Sequence, residues 1–282
     1  MRQVPLYEGA EKKSYYKFLE PIETVPAEEV ARIKTLKGDP AVAPKFKDRA
    51  IVQTEQYEPV PEGVYIMDDN TIFLSAITPI PDITGPMLEW WMIWHQFDPL
   101  RYALWNPEDH FGVRLTDEDR RRFLDESLPI RERIWGTSSF VVESWNGEEP
   151  SDEGELHFVS PDSVGLRNDL VGTPKCQAIV CANNCTKLGP INYPILMCEY
   201  VRQNRDGINE WVVTAWIGHG VDLETGKERT LKLPKFLLNQ IAMKMGAMFI
   251  VHNHKEVSHL NKVLPGLYAA MKDRPLEEGE ER

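Results

Sequence analysis

The chain has 282 residues and a formal net charge of −12, with 44 acidic and 32 basic side chains. This acidic balance disfavours nucleic acid and anionic membrane surfaces as partners, because both repel a negatively charged protein. No run of about 18 apolar residues is present, so we expect no membrane-spanning helix. The first residues lack the apolar segment of a secretory signal, which favours a cytoplasmic location.

The N-terminal part of the chain is rich in prolines and charges, and it predicts a small arm or subdomain over residues 1–75. Within it, residues 27–36 form a predicted helix. Residues 64–67 and 71–75 are β-rich and flank an Asp-Asp-Asn turn, which predicts a hairpin. Residues 76–282 are expected to form the principal domain.

The rest of the chain predicts strands enclosed between helices. A tryptophan-rich helix is predicted from Gly85 to Phe97, and Thr116 is expected to cap a second helix that runs to Ser127. Strands are predicted over 138–145, 155–159, 175–182, 193–203 and 209–218. A long helix over 234–264 follows them. This order predicts an α+β fold with the last helix packed across a curved antiparallel sheet.

The last predicted helix carries a stripe of side chains at helical spacing, and polar residues interrupt it. The stripe comprises Leu238, Ile241, Met245, Phe249, His252, Glu256, His259 and Val263. Residues four apart lie one turn apart on the same helix face, so His252 and Glu256 are neighbours. A buried, ionised Glu256 needs a compensating partner, and a divalent metal is one such partner. An ordinary ion pair where the helix leaves the core stays open as the alternative.

Two predicted strands also contain acids among apolar neighbours. In Val141-Val142-Glu143-Ser144-Trp145, alternation places Glu143 on the same face as two apolar side chains. Glu199 has the same setting in its strand. Either acid can point inward as a functional group or reach water from an edge strand, and spacing alone leaves both interpretations open.

Two motifs preceding the strands resemble a known family. They are EWWMIWH at 89–95 and RYALWNPEDH at 101–110, and the His-x-x-x-Glu helix follows them in the expected order. The combination resembles the family of 2,4-diacetylphloroglucinol hydrolase and phloretin hydrolase, zinc-dependent enzymes that hydrolyse a carbon–carbon bond between an acyl group and a phenolic ring. The resemblance spans about residues 75–265. It implies a helix-grip fold like that of START domains and the birch-pollen allergen, behind a small N-terminal domain, and a homodimer.

The resemblance also implies a metal centre and a substrate pocket. Its four expected ligands are His110, Glu143, His252 and Glu256. Zinc is the implied ion, and the same donors tolerate iron or manganese. Tyr102 is expected to line the pocket, with ordinary core packing as the alternative. His259 is expected to support the ligands or to pack in the core, with a further ligand as the lesser option.

The implied reaction is hydrolysis of a small phenolic ketone or related β-diketone by a metal-bound water. His219 is a candidate proton donor because it ends a predicted strand, although a surface histidine is the alternative there. The chain departs from the family pattern at Val113, where an asparagine is expected, and in residues 158–218, which contain no histidine. These departures keep two further hypotheses open: a non-catalytic helix-grip binding protein for aromatic polyketides, and a metal-dependent cyclase or decarboxylase.

Overall fold

The computed structural model describes residues 3–145, 147, 149–150, 153–188 and 191–277, without the side chains of 186–188, 191, 240 and 241. Ten strands are described within these ranges. They are β1 Gly63–Ile66, β2 Ile72–Pro79, β3 His110–Arg114, β4 Ser138–Glu143, β5 Gly154–Val159, β6 Ala178–Leu188, β7 Ile191–Gln203, β8 Asn209–Ile217, β9 His219–Val221 and β10 Glu228–Thr230.

The helices flank these strands in sequence. They are α1 Ala27–Ile33, α2 Gly85–Trp94, α3 Pro99–Ala103, α4 Asp117–Phe123 and α5 Lys235–Met271. The hydroxyl of Thr116 accepts a hydrogen bond from Asp119 N at 3.1 Å, so Thr116 caps α4 as predicted. The helix α5 continues seven residues beyond the predicted end and passes through Pro265. Leu267 and Met271 are buried beyond that proline, and their packing supports the extension.

Eight strands form one sheet in the order β1-β2-β8-β7-β6-β5-β4-β3. Every neighbouring pair in it is antiparallel. The predicted α+β class, with a large antiparallel sheet and a long C-terminal helix, is therefore confirmed. The strand β2 runs across residue 75, and the division into two domains at that residue stays a prediction.

Side chains alternate between the two faces of the sheet along each strand. Both faces are buried, because other parts of the chain pack against each of them. One face packs against α2 and α5 in a cluster that includes Val213, Leu260 and Leu264. The other face packs against residues 43–60 in a second cluster with Cys198 and Trp216. Burying each leucine on α5 contributes about 1.5–3 kcal/mol, so the helix is held firmly against the inner face.

Among the described helices, none combines the length and the apolar character needed to cross a membrane.

Candidate metal centre

Three elements bring the four predicted ligands to one place inside the fold. His110 begins β3 and Glu143 ends β4, and the antiparallel register pairs these two residues directly. Helix α5 carries His252 and Glu256 one turn apart. Adjacent ends of the paired strands β3 and β4 and one face of α5 therefore supply all four side chains.

The distances within this group are short. His110 Nε2 and His252 Nε2 lie 3.1 Å and 3.0 Å from the same oxygen, Glu256 Oε2. One ligand atom from each of these three residues lies within 4.8 Å of the others. Glu143 Oε1 lies 3.9 Å from His110 Nε2. The side chains of the first three residues are 2%, 6% and 10% exposed, whereas that of Glu143 is 22% exposed. Glu143 thus forms the more open side of the group.

The group brings two buried carboxyl side chains, Glu143 and Glu256, close to each other and to two imidazoles. Burial opposes the charge of Glu256, but the two imidazoles outweigh it and hold the pKa of that carboxyl at about 2. Burial, together with the charge of Glu256, raises the pKa of Glu143 to about 7. The acids Glu256 and Glu143 also raise the pKa of His252 to about 9, against the effect of its burial. Two imidazoles and two carboxylates in this setting fit a divalent cation, which would neutralise both acids.

Tyr102 on α3 supports two of these side chains at once. Its hydroxyl donates a hydrogen bond to Glu143 Oε1. Its ring stacks on the His110 imidazole with 4.1 Å between ring centroids. Its backbone oxygen lies 3.3 Å from His110 Nδ1, so that nitrogen can donate its hydrogen there and leave Nε2 free to bind a cation. Tyr102 is buried but is bound to the group, so it does more than fill the core.

Replacing Tyr102 with phenylalanine tests this arrangement. The ring and its stacking on His110 remain, whereas Glu143 loses the hydroxyl donor that orients it. We expect zinc affinity to fall about 10-fold, at the lower end of effects from groups that orient metal ligands. Competition with a chromophoric chelator measures it. An unchanged affinity would show that the hydroxyl does not orient Glu143.

Aromatic side chains border the group on two sides. The Trp105 ring lies 5.5 Å from that of His110, and the Trp145 ring lies 5.2 Å from that of His252. Phe249, one turn before His252 on α5, contacts Trp145 at 6.0 Å. The Trp145 and Phe249 rings are half-buried and leave apolar surface beside the group for an aromatic ligand, whereas Trp105 is buried and packs edge-on against His110.

Glu199 is a further acid on the inner face of β7. Trp211 Nε1 donates to Glu199 Oε2 at 3.1 Å. Burial raises the pKa of Glu199 to about 8, and the charges of Glu256 and Glu143 contribute to the rise. The sequence leaves the orientation of Glu199 open, and in the structure its side chain lies on the inner face, where it accepts from Trp211.

His219 is not brought to the group. Its Nδ1 lies 3.0 Å from Thr230 Oγ1 and its Nε2 lies 3.2 Å from Asp69 Oδ2. Its ring stacks on Phe46, which belongs to the cluster on the other face of the sheet. Both ring nitrogens are therefore engaged, and the predicted proton-donor role is not supported. The strand-end position that suggested this role does not specify which face of the sheet a side chain joins.

Comparison with known proteins gives the same family along nearly the whole chain. Residues 42–269 match the family model described as DAPG hydrolase PhiG domain. The phloretin hydrolase of Eubacterium ramulus is 30% identical over 96% of this chain and 95% of its own length. The 2,4-diacetylphloroglucinol hydrolase of Pseudomonas protegens is 26% identical over 91% of this chain and 84% of its own length.

Two solved structures are also similar to this chain at low identity. The crystal structure of Ara h 8.0201 is 10% identical, with a TM-score of 0.32, over 65% of this chain and 95% of that one. Protein Ms6760 from Mycobacterium smegmatis is 13% identical, with a TM-score of 0.34, over 76% of this chain and 98% of that one. The family match alone covers well over half of the sequence. The chain therefore belongs to the DAPG hydrolase PhiG domain family.

Proposed function

We propose that this protein is a metal-dependent hydrolase that cleaves the carbon–carbon bond between an acyl group and a phenolic ring of the phloroglucinol type, or in a related β-diketone. The observation that carries the proposal is the buried group of His110, His252 and Glu256, with Glu143 beside it. The relatives named phloretin hydrolase and 2,4-diacetylphloroglucinol hydrolase support the substrate class.

In this proposal His110, Glu143, His252 and Glu256 hold one divalent ion. Zinc is the first choice, and iron or manganese suits the same nitrogen and oxygen donors. When bound, such an ion polarises an acyl carbonyl and lowers the pKa of a water molecule. The donors carry two negative charges between them, so they offset the charge of the ion and keep the buried centre formally neutral.

The side chains around the centre orient the substrate. The half-buried Trp145 beside His252 is the ring that can stack on a phenolic substrate, while the buried Trp105 packs edge-on against His110. Tyr102 fixes Glu143 by its hydroxyl and His110 by its ring and backbone oxygen. The reactive acyl group would then face the four donors, with its phenolic ring beside Trp145.

Hydrolysis consumes one water and requires a proton source. The ring carbon that bears the acyl group first takes a proton from the donor while a phenolic hydroxyl gives one up, which makes the keto tautomer. The hydroxyl of the water then adds to the acyl carbon, and the remaining proton of the water returns to the donor. When the bond to the ring breaks, its electron pair restores the aromatic ring as a phenolate, which takes back the proton that the hydroxyl gave up. Glu199 is our candidate donor, because its carboxyl lies on the inner face and its raised pKa keeps the proton bound near neutral pH.

The proposal is tested by metal analysis and turnover of the same untagged preparation. We expect about one divalent ion per chain, and release of the acid and phenol products from phloretin or 2,4-diacetylphloroglucinol. Removal of the ion by a chelator should abolish turnover, and added zinc should restore it. A protein that binds these ketones but never cleaves them, with or without zinc, iron or manganese, would be a binding protein instead.

A further inference from the structure

A buried polar cluster lies directly behind the candidate metal centre. Asp109 precedes His110 in sequence, Ser144 follows Glu143, and Lys255 precedes Glu256. The three residues of this cluster are each less than a tenth exposed. Each ligand-bearing element therefore places a residue adjacent in sequence to one of its ligands in the cluster.

The carboxylate of Asp109 joins the other members of the cluster. Its Oδ1 accepts hydrogen bonds from Ser144 Oγ at 2.6 Å and from Gly147 N at 2.9 Å. Its Oδ2 accepts from Lys255 Nζ at 2.8 Å. Ser144 N also donates to the backbone oxygen of Asp109 at 2.8 Å. One side chain thus connects the start of β3, the end of β4 and the middle of α5.

The same carboxylate lies close to a ligand imidazole. Asp109 Oδ2 is 4.0 Å from His252 Nδ1, and that nitrogen has no hydrogen-bond partner among the described residues. The other ring nitrogen, Nε2, faces Glu256. Metal-binding histidines usually donate their second N–H to a carboxylate or carbonyl oxygen, which fixes the tautomer and the ring orientation.

We propose that Asp109 is a positioning residue that sets the geometry of the metal centre. It fixes the relative placement of the three ligand-bearing elements through Ser144 and Lys255. It also provides the acceptor for Nδ1–H of His252, over a gap that a small ring movement closes. This inference rests on the proposed function, since it assigns the cluster to the metal centre of that function.

The alternative role of Asp109 is purely structural. The buried Lys255 needs an anionic partner whether or not a metal ion is bound. Lys255 Nζ also pairs with Glu108 Oε2 at 2.7 Å, so Lys255 keeps one acid when Asp109 is neutralised. Asp109→Asn therefore preserves the shape of the cluster while removing the charge that His252 Nδ1 faces. A structural role predicts a loss of stability only, whereas a positioning role predicts weaker metal binding by the folded protein.

The experiment compares zinc affinity in wild type, Asp109→Asn and the control Glu89→Gln. Glu89 on α2 is another largely buried acid, and its carboxylate lies 3.2 Å from Arg131 Nε. The same carboxylate-to-amide change can be made there. Chelator competition is performed below the melting temperature of each metal-free protein, after circular dichroism confirms folding. We expect Asp109→Asn to weaken zinc binding about 10–100-fold, and Glu89→Gln to leave it unchanged.

Folded Asp109→Asn with wild-type zinc affinity would overturn the inference, and so would an equal loss in Glu89→Gln. Should Asp109→Asn not fold, Ser144→Ala removes one contact of the same carboxylate and is judged by the same criteria. Failure of the proposed function can be told apart from failure of this inference, because it appears in the wild-type protein. The wild type would then bind no metal, or would bind metal without turning over either ketone. A wild type without metal would overturn the inference together with the proposed function.

Discussion

Replacing His252 with alanine should empty the metal centre and abolish hydrolysis. The change removes one nitrogen donor and leaves Glu256 with His110 as its remaining imidazole neighbour. Without His252, the buried acids lose the group that most strongly favours the charged form of Glu256. We expect bound metal to fall well below one ion per chain after dialysis, because the alanine removes one of the four donors and leaves a single imidazole beside the two carboxylates.

His259→Ala is the matched control for this prediction. His259 is buried on α5, seven residues beyond His252, and its Nε2 has no hydrogen-bond partner among the described residues. Removing it deletes the same side chain from the same helix, with a comparable cavity. We expect His259→Ala to retain its metal and its turnover, although both variants should unfold at a lower temperature than wild type.

Elemental analysis and circular dichroism of the three proteins separate the possible results. Metal retained in folded His252→Ala would refute the ligand assignment. Metal lost in His259→Ala as well would show that this histidine is a ligand, the lesser of the two options that its sequence position leaves open.

The helical half of the centre could be predicted because its information is local. His252 and Glu256 are four residues apart in a helical pattern, and both are buried in the structure. The same stripe is interrupted in its first half, since Leu238 is buried but Met245 is 49% exposed. Periodicity defines a helix face, but only the tertiary packing decides how far along the helix that face is covered.

The strand half depended on pairings that sequence spacing does not encode. The strand β3 was not predicted, because Pro107 and Gly112 make the segment resemble a loop, and the register of β3 against β4 shifts between His110 and Gly112. His110 is therefore predicted as a ligand from the family resemblance alone, whereas strand alternation also makes Glu143 a candidate inward-pointing acid. Their direct pairing across β3 and β4 appears only once the sheet is assembled.

The cluster around Asp109 was beyond sequence analysis for a similar reason. The contact between Asp109 and Lys255 joins residues 146 positions apart. Each of these charges looks like a solvent-exposed residue in its own segment, since charged side chains are seldom buried without a partner. Only the fold shows that they partner one another.

Replacing Glu199 with glutamine should slow the reaction without emptying the metal centre. Glutamine keeps the size of the side chain, and its amide oxygen can still accept from Trp211 Nε1. It has no carboxyl proton to give to the ring carbon. We expect kcat to fall about 10²–10⁴-fold, the usual contribution of a general acid, while KM and bound metal stay close to wild type. Glu210→Gln is the control, because this β8 acid is hydrogen-bonded to Asn204.

The pH profile supplies the measurement that a structural role of Glu199 would not change. A proton donor acts in its neutral form, which is populated below the pKa and lost above it. Burial is the largest cause of the raised pKa of Glu199 and persists when an ion is bound, so wild-type kcat should decline as the pH rises above neutral. The residual activity of Glu199→Gln should lack this decline, since an amide does not titrate there. A decline that persists in the variant would assign it to another group, and loss of metal from the variant would make Glu199 a ligand instead.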